Sequence, residues 1–565
     1  MLRHFLCDKK ALFAFLLIVP FSAAASTIFA LSLGPVINTA IQSNTQDLFK
    51  NSVIGIITAF VDMLCLLLLK KSRGYLIYKF VVSLKNQLFE DILKKNIADY
   101  EKDRTAYYMT MLTNDVDRIR GSYVFSILGL YGVTWCFLIS FITVLRINPY
   151  ITILLIIIGI MTLIVPSSFE KRLVAKQNKQ SEYSEVYMKK MKDYLNGFGV
   201  IKNHGMEHKI HKTYKEVTDR AEHATYCSNY YSFKIAWISM NFSSMMYVFT
   251  LIVGAYLAIK GKMSVGLIIS LSQVVGGVVA PFEEVPQYIA ELKGMKGIVQ
   301  KLKRVNVTKI QDCQSVDSFE KIVLKNVNFS YDNSNMVLQD INLELKRNKK
   351  YAIVGNSGSG KSTLAKLIAG IYQIKEAENI DGIDGNIFFN KTPMENVNEQ
   401  SMIELISYMS QDTFLFDESV MFNIDLLQGL KESQLTEMLG KVRLICDDKD
   451  AQSFLYSQVG ENGNSLSGGQ KQRIGIAREL LHKKQVLIFD EFTSSLDNIN
   501  ATALEDMIMN LKETCIMVTH RLNSSMLKRC DEILVMNEGK IVERGTFETL
   551  MDSGSEFLRL YGGLK

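Results

Sequence analysis

Lys350-Tyr-Ala-Ile-Val354, continued by Gly355-Asn356-Ser357-Gly358-Ser359-Gly360-Lys361-Ser362-Thr363, decides how the rest of the chain is read. An apolar strand enters a glycine-rich loop, and an apolar helix leaves it through Leu364, Leu367 and Ile368. This is a phosphate-binding loop in its strand–loop–helix setting. Its glycines let backbone N–H groups approach phosphate oxygens, and the helix N-terminus favours their negative charge. Lys361 is expected to reach the β- and γ-phosphates of a nucleotide, Ser362 to ligate Mg²⁺, and Thr363 to complete the loop.

Downstream, Val486-Leu-Ile-Phe-Asp490-Glu491 is a buried apolar strand ending in two carboxylates. Asp490 is expected to hold the Mg²⁺ or its water, and Glu491 to polarise the attacking water as general base. Between the two motifs stands Leu466-Ser467-Gly468-Gly469-Gln470, followed by Lys471-Gln472-Arg473. This resembles the signature of the ABC (ATP-binding cassette) ATPases, and further family marks follow in family order. Tyr331 resembles the aromatic that stacks on adenine. Gln411 resembles the glutamine that senses Mg²⁺ and the γ-phosphate. Val459-Gly460-Glu461 is similar to the exporter-specific segment, Ser495-Leu496-Asp497 to the D-loop, and Thr519-His520-Arg521 to the switch-histidine region. Phe492 departs from the family, which commonly has a small residue or proline there, and Gln373–Gln400 matches the pattern poorly.

Upstream, six stretches meet the requirement of about 20 mostly apolar residues for crossing a bilayer. They run roughly Ala11–Leu33, Ser52–Leu69, Ser122–Leu145, Tyr150–Phe169, Ile235–Ile259 and Ser264–Ile289. Ala23-Ala24-Ala25 looks like a signal-peptidase site, but apolarity continues to Leu33, so the first stretch reads as a transmembrane helix. Two connectors are short, and two are long and charged (Lys70–Gly121 and Glu170–Lys234). Arg3, Lys9, Lys10, Lys70, Lys71, Arg73, Lys171, Arg172 and Lys176 then fall on one side, which places both termini in the cytoplasm. Apolar residues recur at helical spacing in both long connectors, so the membrane helices should continue beyond the bilayer. They should break near Asp99–Tyr107 and Asn196–Gly205.

Asp62, Glu283 and Glu284 are costly inside a membrane. They either line a cavity suited to cationic cargo or reach the interface or a lysine partner. Asn241 is equally open between cavity lining and helix–helix adhesion.

The whole chain is thus similar to an exporter-type half-transporter. The expected fold is a membrane α-helical domain of six spans (1–301) followed by an α/β P-loop NTPase domain of ABC type (302–565). The resemblance implies ATP and Mg²⁺ as cofactors, bound by the loop residues, Tyr331, Gln411 and Asp490, with Glu491 and His520 catalytic. It implies that Ser467, Gly468, Gly469, Gln470 and Asp497 act across a dimer interface, in a homodimer or with a related partner chain. Cargo would be a peptide, lipid or amphipathic compound, with a cationic peptide preferred. Import of metal chelates and a non-transporting regulatory subunit are the alternatives. Met1–Lys10 is too short for a leader peptidase, so no processing of cargo is expected.

A formal net charge of +6 over 565 residues gives no support to a nucleic-acid role. The eight cysteines hold no CxxC pair and read as free thiols. Lys-, Ile- and Asn-rich usage suggests a bacterial plasma membrane.

Overall fold

A computed structural model describes residues 2–103, 105–303, 314–331, 335–372, 385–445, 448–522 and 525–562. The chain divides into two compact units, Met1–Lys95 with Asp103–Val307, and Asn96–Lys102 with Thr308–Lys565. Among the described cysteines Cys7, Cys65, Cys136, Cys227, Cys515 and Cys530 are free thiols; Cys313 and Cys446 lie outside the described residues, as does Gln373–Asp384 of the poorly matching segment.

The first unit is helical. Five helices among the described residues are long and apolar enough to cross a membrane: Lys9–Ile41, Thr45–Leu93, Thr105–Ile147, Glu207–Ile259 and Val265–Lys303. The expected fourth span has its own helix, Pro149–Ser167, of which the apolar stretch Pro149–Thr162 is described. Among the described residues five helices meet the requirement of length and composition, and this one stands beside them as a shorter apolar helix. The helix Thr45–Leu93 has 49 residues, about 70 Å at the α-helical rise against a hydrocarbon core of about 30 Å. It therefore extends well past the bilayer, as the connector periodicity predicts. Short helices, Ile97–Glu101 and Phe198–Asn203, interrupt the two long connectors.

Helix starts are set by side-chain caps that satisfy otherwise orphaned N–H groups. Asp8 accepts from Ala11 N at 3.0 Å, and Asn44 from Asp47 N at 3.2 Å. Small residues then let helices touch. A Cβ on Gly266 would lie 2.1 Å from the Gly34 carbonyl oxygen, so only glycine permits this approach. Asn38 fastens the same crossing, accepting from Gly266 N at 2.8 Å and donating to Ser264 Oγ at 3.0 Å.

The second unit holds two sheets. β1 (Lys321–Phe329), β2 (Leu338–Lys346), β4 (Asn386–Phe389) and β5 (Thr392–Pro393) form an antiparallel sheet in the order β2-β1-β4-β5. β3 (Lys350–Gly355), β6 (Ile406–Met409), β7 (Val486–Asp490), β8 (Thr514–Val518), β9 (Glu532–Asn537) and β10 (Lys540–Gly545) form the other, ordered β10-β9-β3-β8-β7-β6. All its pairs are parallel except β9–β10. β3, β7 and β8 are buried along their whole length, which explains their unbroken apolar runs. Phe492 joins this core: it is 1% exposed, its ring 5.1 Å from that of Phe489. The family departure at this position is a packing residue.

Candidate active site

Ligand sites of open α/β sheets lie beyond the carboxyl ends of the strands. Here β3, β8, β7 and β6 are consecutive neighbours. Their carboxyl ends deliver, in turn, the phosphate loop, His520, the Asp490–Glu491 pair and Gln411. Residues far apart in sequence are brought together by the topology alone.

The loop is shaped by two glycines. At Gly355 (φ +153°) a Cβ would lie 2.2 Å from the Met536 carbonyl oxygen, and Gly360 (φ +96°) starts the helix Lys361–Ile368 in a left-handed conformation. Lys361 curls back so that Nζ donates to the carbonyls of Gly355 at 3.1 Å and Asn356 at 2.8 Å. Burial draws its ammonium below the ordinary lysine value, while Glu491 and Asp490 act to raise it. Ser359 Oγ is buried in the loop and has no partner among the described residues. A cradle of N–H groups at a helix start, a curled lysine and an unsatisfied hydroxyl fit an anionic phosphate chain.

Both oxygens of Asp490, 3% exposed, are held. Oδ1 accepts from Ser362 Oγ at 3.1 Å, and Oδ2 from the Tyr408 hydroxyl at 2.9 Å. Burial, followed by Asp490 itself, pushes the Tyr408 phenol up, so it stays a donor. Glu491 is held in the same way. His520 Nε2 lies 2.8 Å from Oε1, and Gln411 Nε2 donates to Oε2 at 2.6 Å. Glu491 adopts a left-handed backbone (φ +49°), which costs a non-glycine residue conformational strain. Its N–H donates to Val518 O at 3.0 Å, tying β7's end to β8.

The signature residues face elsewhere. Ser467 caps the helix Gly468–Leu481 in a reciprocal box with Gln470, at 3.2 and 2.9 Å. Gly468 and Gly469 lie against Ser495 and Leu496, where a Cβ on Gly469 would come 3.1 Å from the Leu496 side chain. Gln472 donates to Ser494 Oγ at 2.8 Å and accepts from Ser495 N at 3.0 Å. Asp497 caps the next helix, Asn498–Met509, and hydrogen bonds from Asn500 hold its carboxyl below the usual aspartate value. Signature and D-loop thus form one exposed ledge.

Tyr331 is 52% exposed, and its hydroxyl lies 3.0 Å from Thr363 Oγ1. Its ring meets Tyr372 edge-on at 5.2 Å. Both line a cavity of about 890 Å³ within the second unit, with Tyr408 and the Asn96–Lys102 stretch. The Tyr372 hydroxyl donates to the Glu101 carboxylate. Tyr408 and Tyr372 escaped the sequence reading because neither belongs to a motif. Tyr408 stands in the short strand β6, three residues before Gln411.

In the helical unit, Asp62 accepts from Ser26 Oγ at 2.5 Å. Glu284 accepts from Tyr288 at 2.8 Å and lies within electrostatic reach of Arg73, whose guanidinium sits 3.6 Å over the Phe125 ring. Glu283 is exposed. Asn241 donates to the Trp237 carbonyl on its own helix at 2.7 Å.

Two family models match the chain, that of the ABC transporter transmembrane region over residues 12–282 and that of the ABC transporter over residues 338–494. An uncharacterized ABC transporter ATP-binding protein of Bacillus subtilis, YwjA, is 26% identical over 99% of this chain and 98% of its own length. The mesentericin-Y105 transport/processing ATP-binding protein of Leuconostoc mesenteroides is 34% identical over 55% of this chain. This chain spans only 42% of that protein's length. Among solved structures, a bacterial Atm1-family ABC exporter with ATP bound matches with a TM-score of 0.80 at 19% identity, covering 99% of both chains. That likeness is one of fold.

Proposed function

This chain belongs to the ABC transporter family, with transmembrane region and ATP-binding domain fused in one polypeptide, and on that premise we propose that it exports an amphipathic cargo as a dimer with two composite ATP sites. The observation that carries the proposal is the Glu491 carboxylate clamped by His520 and Gln411 beside Asp490, Ser362 and the phosphate loop.

The roles follow from that geometry. The loop N–H groups and Lys361 hold the phosphates, and Tyr331 offers its exposed ring to adenine. Ser362 and Asp490, with Gln411 alongside, hold Mg²⁺, which when bound neutralises phosphate charge. Glu491 takes the proton from the attacking water, oriented by His520. The ledge of Ser467–Gln470 and Asp497 serves the phosphate loop of a partner, since one chain carries one of each element.

Hydrolysis in such a sandwich releases a two-state element that drives the membrane helices. Basic residues flanking the helices support cytoplasmic termini and a bacterial plasma membrane. Tyr288 donates to Glu284, so exposed Glu283 is the acidic group that favours a cationic cargo.

Two inactive variants, Lys361→Ala and Ser467→Arg, test the composite site. Co-expressed, they should regain ATPase activity, because one of the two sites in a mixed dimer is then intact. No recovery in verified mixed dimers would sink the trans arrangement. ATP-driven uptake of cargo into inside-out vesicles tests export; uptake only in right-side-out vesicles would reverse the direction.

A further inference from the structure

We propose that Tyr408 is a positioning residue for the Mg²⁺ site, fixing the rotation of the Asp490 carboxylate by donating its hydroxyl proton to Oδ2. The inference deepens the metal reading above and rests on it.

Tyr408 lies on β6 and Asp490 at the end of the adjacent β7, which pair in parallel with Tyr408 opposite Ile488. Ile488 and Asp490 are two residues apart and so share a face of the sheet. From that register the long phenol reaches forward along the face, and its hydroxyl meets Oδ2 at 2.9 Å. A phenylalanine would fill the same space and stop short of the carboxylate by one donor.

What the bond does follows from the other oxygen. Oδ1 points at Ser362, the second expected metal ligand, at 3.1 Å. A carboxylate held at only one oxygen can swing about its Cβ–Cγ bond. With Oδ2 pinned by Tyr408, Oδ1 stays turned toward Ser362, so the two side chains that would hold a divalent cation remain on one side. Groups that orient metal ligands in this way typically contribute about 10–100-fold in metal affinity. The partner of the phenol is the Asp490 carboxylate and not the phosphate loop, so its effect should be confined to the metal-dependent part of nucleotide binding.

The test uses the full-length protein in lipid nanodiscs, in a Glu491→Gln background that keeps bound nucleotide from turning over. ATP affinity is measured in EDTA and again across a Mg²⁺ titration, and Mn²⁺ binding is followed by electron paramagnetic resonance. Tyr408→Phe should leave affinity in EDTA within about twofold and weaken Mg²⁺ and Mn²⁺ binding roughly tenfold. 4-Aminophenylalanine at position 408, which restores a donor at the ring's para position, should recover most of that loss.

Equal loss of affinity with and without metal would show a packing role and overturn the inference. So would metal binding unchanged in Tyr408→Phe. If the parent protein itself showed no Mg²⁺ dependence, the metal reading would fall first and the inference with it. Should Tyr408→Phe not fold, 4-fluorophenylalanine at position 408, whose para substituent cannot donate, takes its place. Weakened Mn²⁺ binding at unchanged EDTA affinity then supports the positioning role, and Mn²⁺ binding identical to the parent's overturns it.

Discussion

Carboxylates in the two units are held in different ways. At the end of β7, every oxygen of Asp490 and Glu491 has its own partner: Ser362, Tyr408, His520 and Gln411. These come from the helix after β3, from β6, from the loop after β8 and from the loop after β6. In the helical unit, Asp62 receives the Ser26 hydroxyl of a neighbouring helix, and Glu284 the Tyr288 hydroxyl one turn along its own. Strand ends in a parallel sheet stand about 4.8 Å apart, so four chain segments converge on one point. Helices pack 8–10 Å apart, and a side chain there meets one neighbour or its own next turn. Full pairing alone does not mark a site, since both oxygens of Asp531, Glu543 and Glu291 are also held; what sets Asp490 and Glu491 apart is that their partners converge beside the phosphate loop.

Glu491→Gln should break the most. It keeps the shape of the clamp and removes the base, so ATPase activity should fall about 10²–10⁴-fold while ATP binding persists, read by phosphate release and a nucleotide-binding assay. Activity within tenfold of the parent would place the base elsewhere. Phe492→Ala should come next. Removing a ring that is 1% exposed should cost about 3–5 kcal/mol of the ATP-binding unit's stability. It should lower the melting transition of that unit in detergent while leaving the helical unit's transition in place. A small loss would mean that the position tolerates the family's smaller residue by local collapse.

His520→Ala removes one partner of Glu491 and leaves Gln411. A hydrogen bond to a charged group is worth about 1.5–3 kcal/mol, which predicts a loss of roughly 10–100-fold in kcat at nearly unchanged KM for ATP. A matching rise in KM would make His520 a binding residue instead.

The same contrast explains what was legible in the sequence. The phosphate loop, Asp490–Glu491, Gln411 and His520 each follow a short strand whose sequence is constrained by burial and by the turn it must make. Short motifs therefore named the residues, and the sheet order supplied their meeting point. Tyr408 was not legible, because its role depends on the β6–β7 register, which no local pattern encodes. The helical unit was legible in outline only. Apolar length marked the spans, and the stretch Tyr150–Phe169 falls on a helix of its own, Pro149–Ser167. The three acidic residues could not be sorted from sequence, since Ser26 meets Asp62 only through the packing of two helices, although Tyr288 stands one turn from Glu284 on the same helix. Phe492 read as a departure because the family habit says nothing of the volume that Phe489 leaves beside it.

The smallest expected effect tests the helical side of the comparison. Ser26 and Asp62 meet at 2.5 Å, far from any other motif in sequence. Interhelical hydrogen bonds in membranes average about 0.6 kcal/mol, because the partners find substitutes when separated. A double-mutant cycle of Ser26→Ala and Asp62→Asn, read by thermal unfolding in detergent, should therefore give a coupling under about 1 kcal/mol. Cargo-stimulated ATPase should be unchanged in either single variant. A larger coupling, or loss of stimulation in Asp62→Asn alone, would show that a carboxylate with one hydroxyl partner is nonetheless a site. Convergence beside the phosphate loop would then no longer set the proposed catalytic carboxylates apart, and Asp62 would join Glu283 as the place to look for cargo.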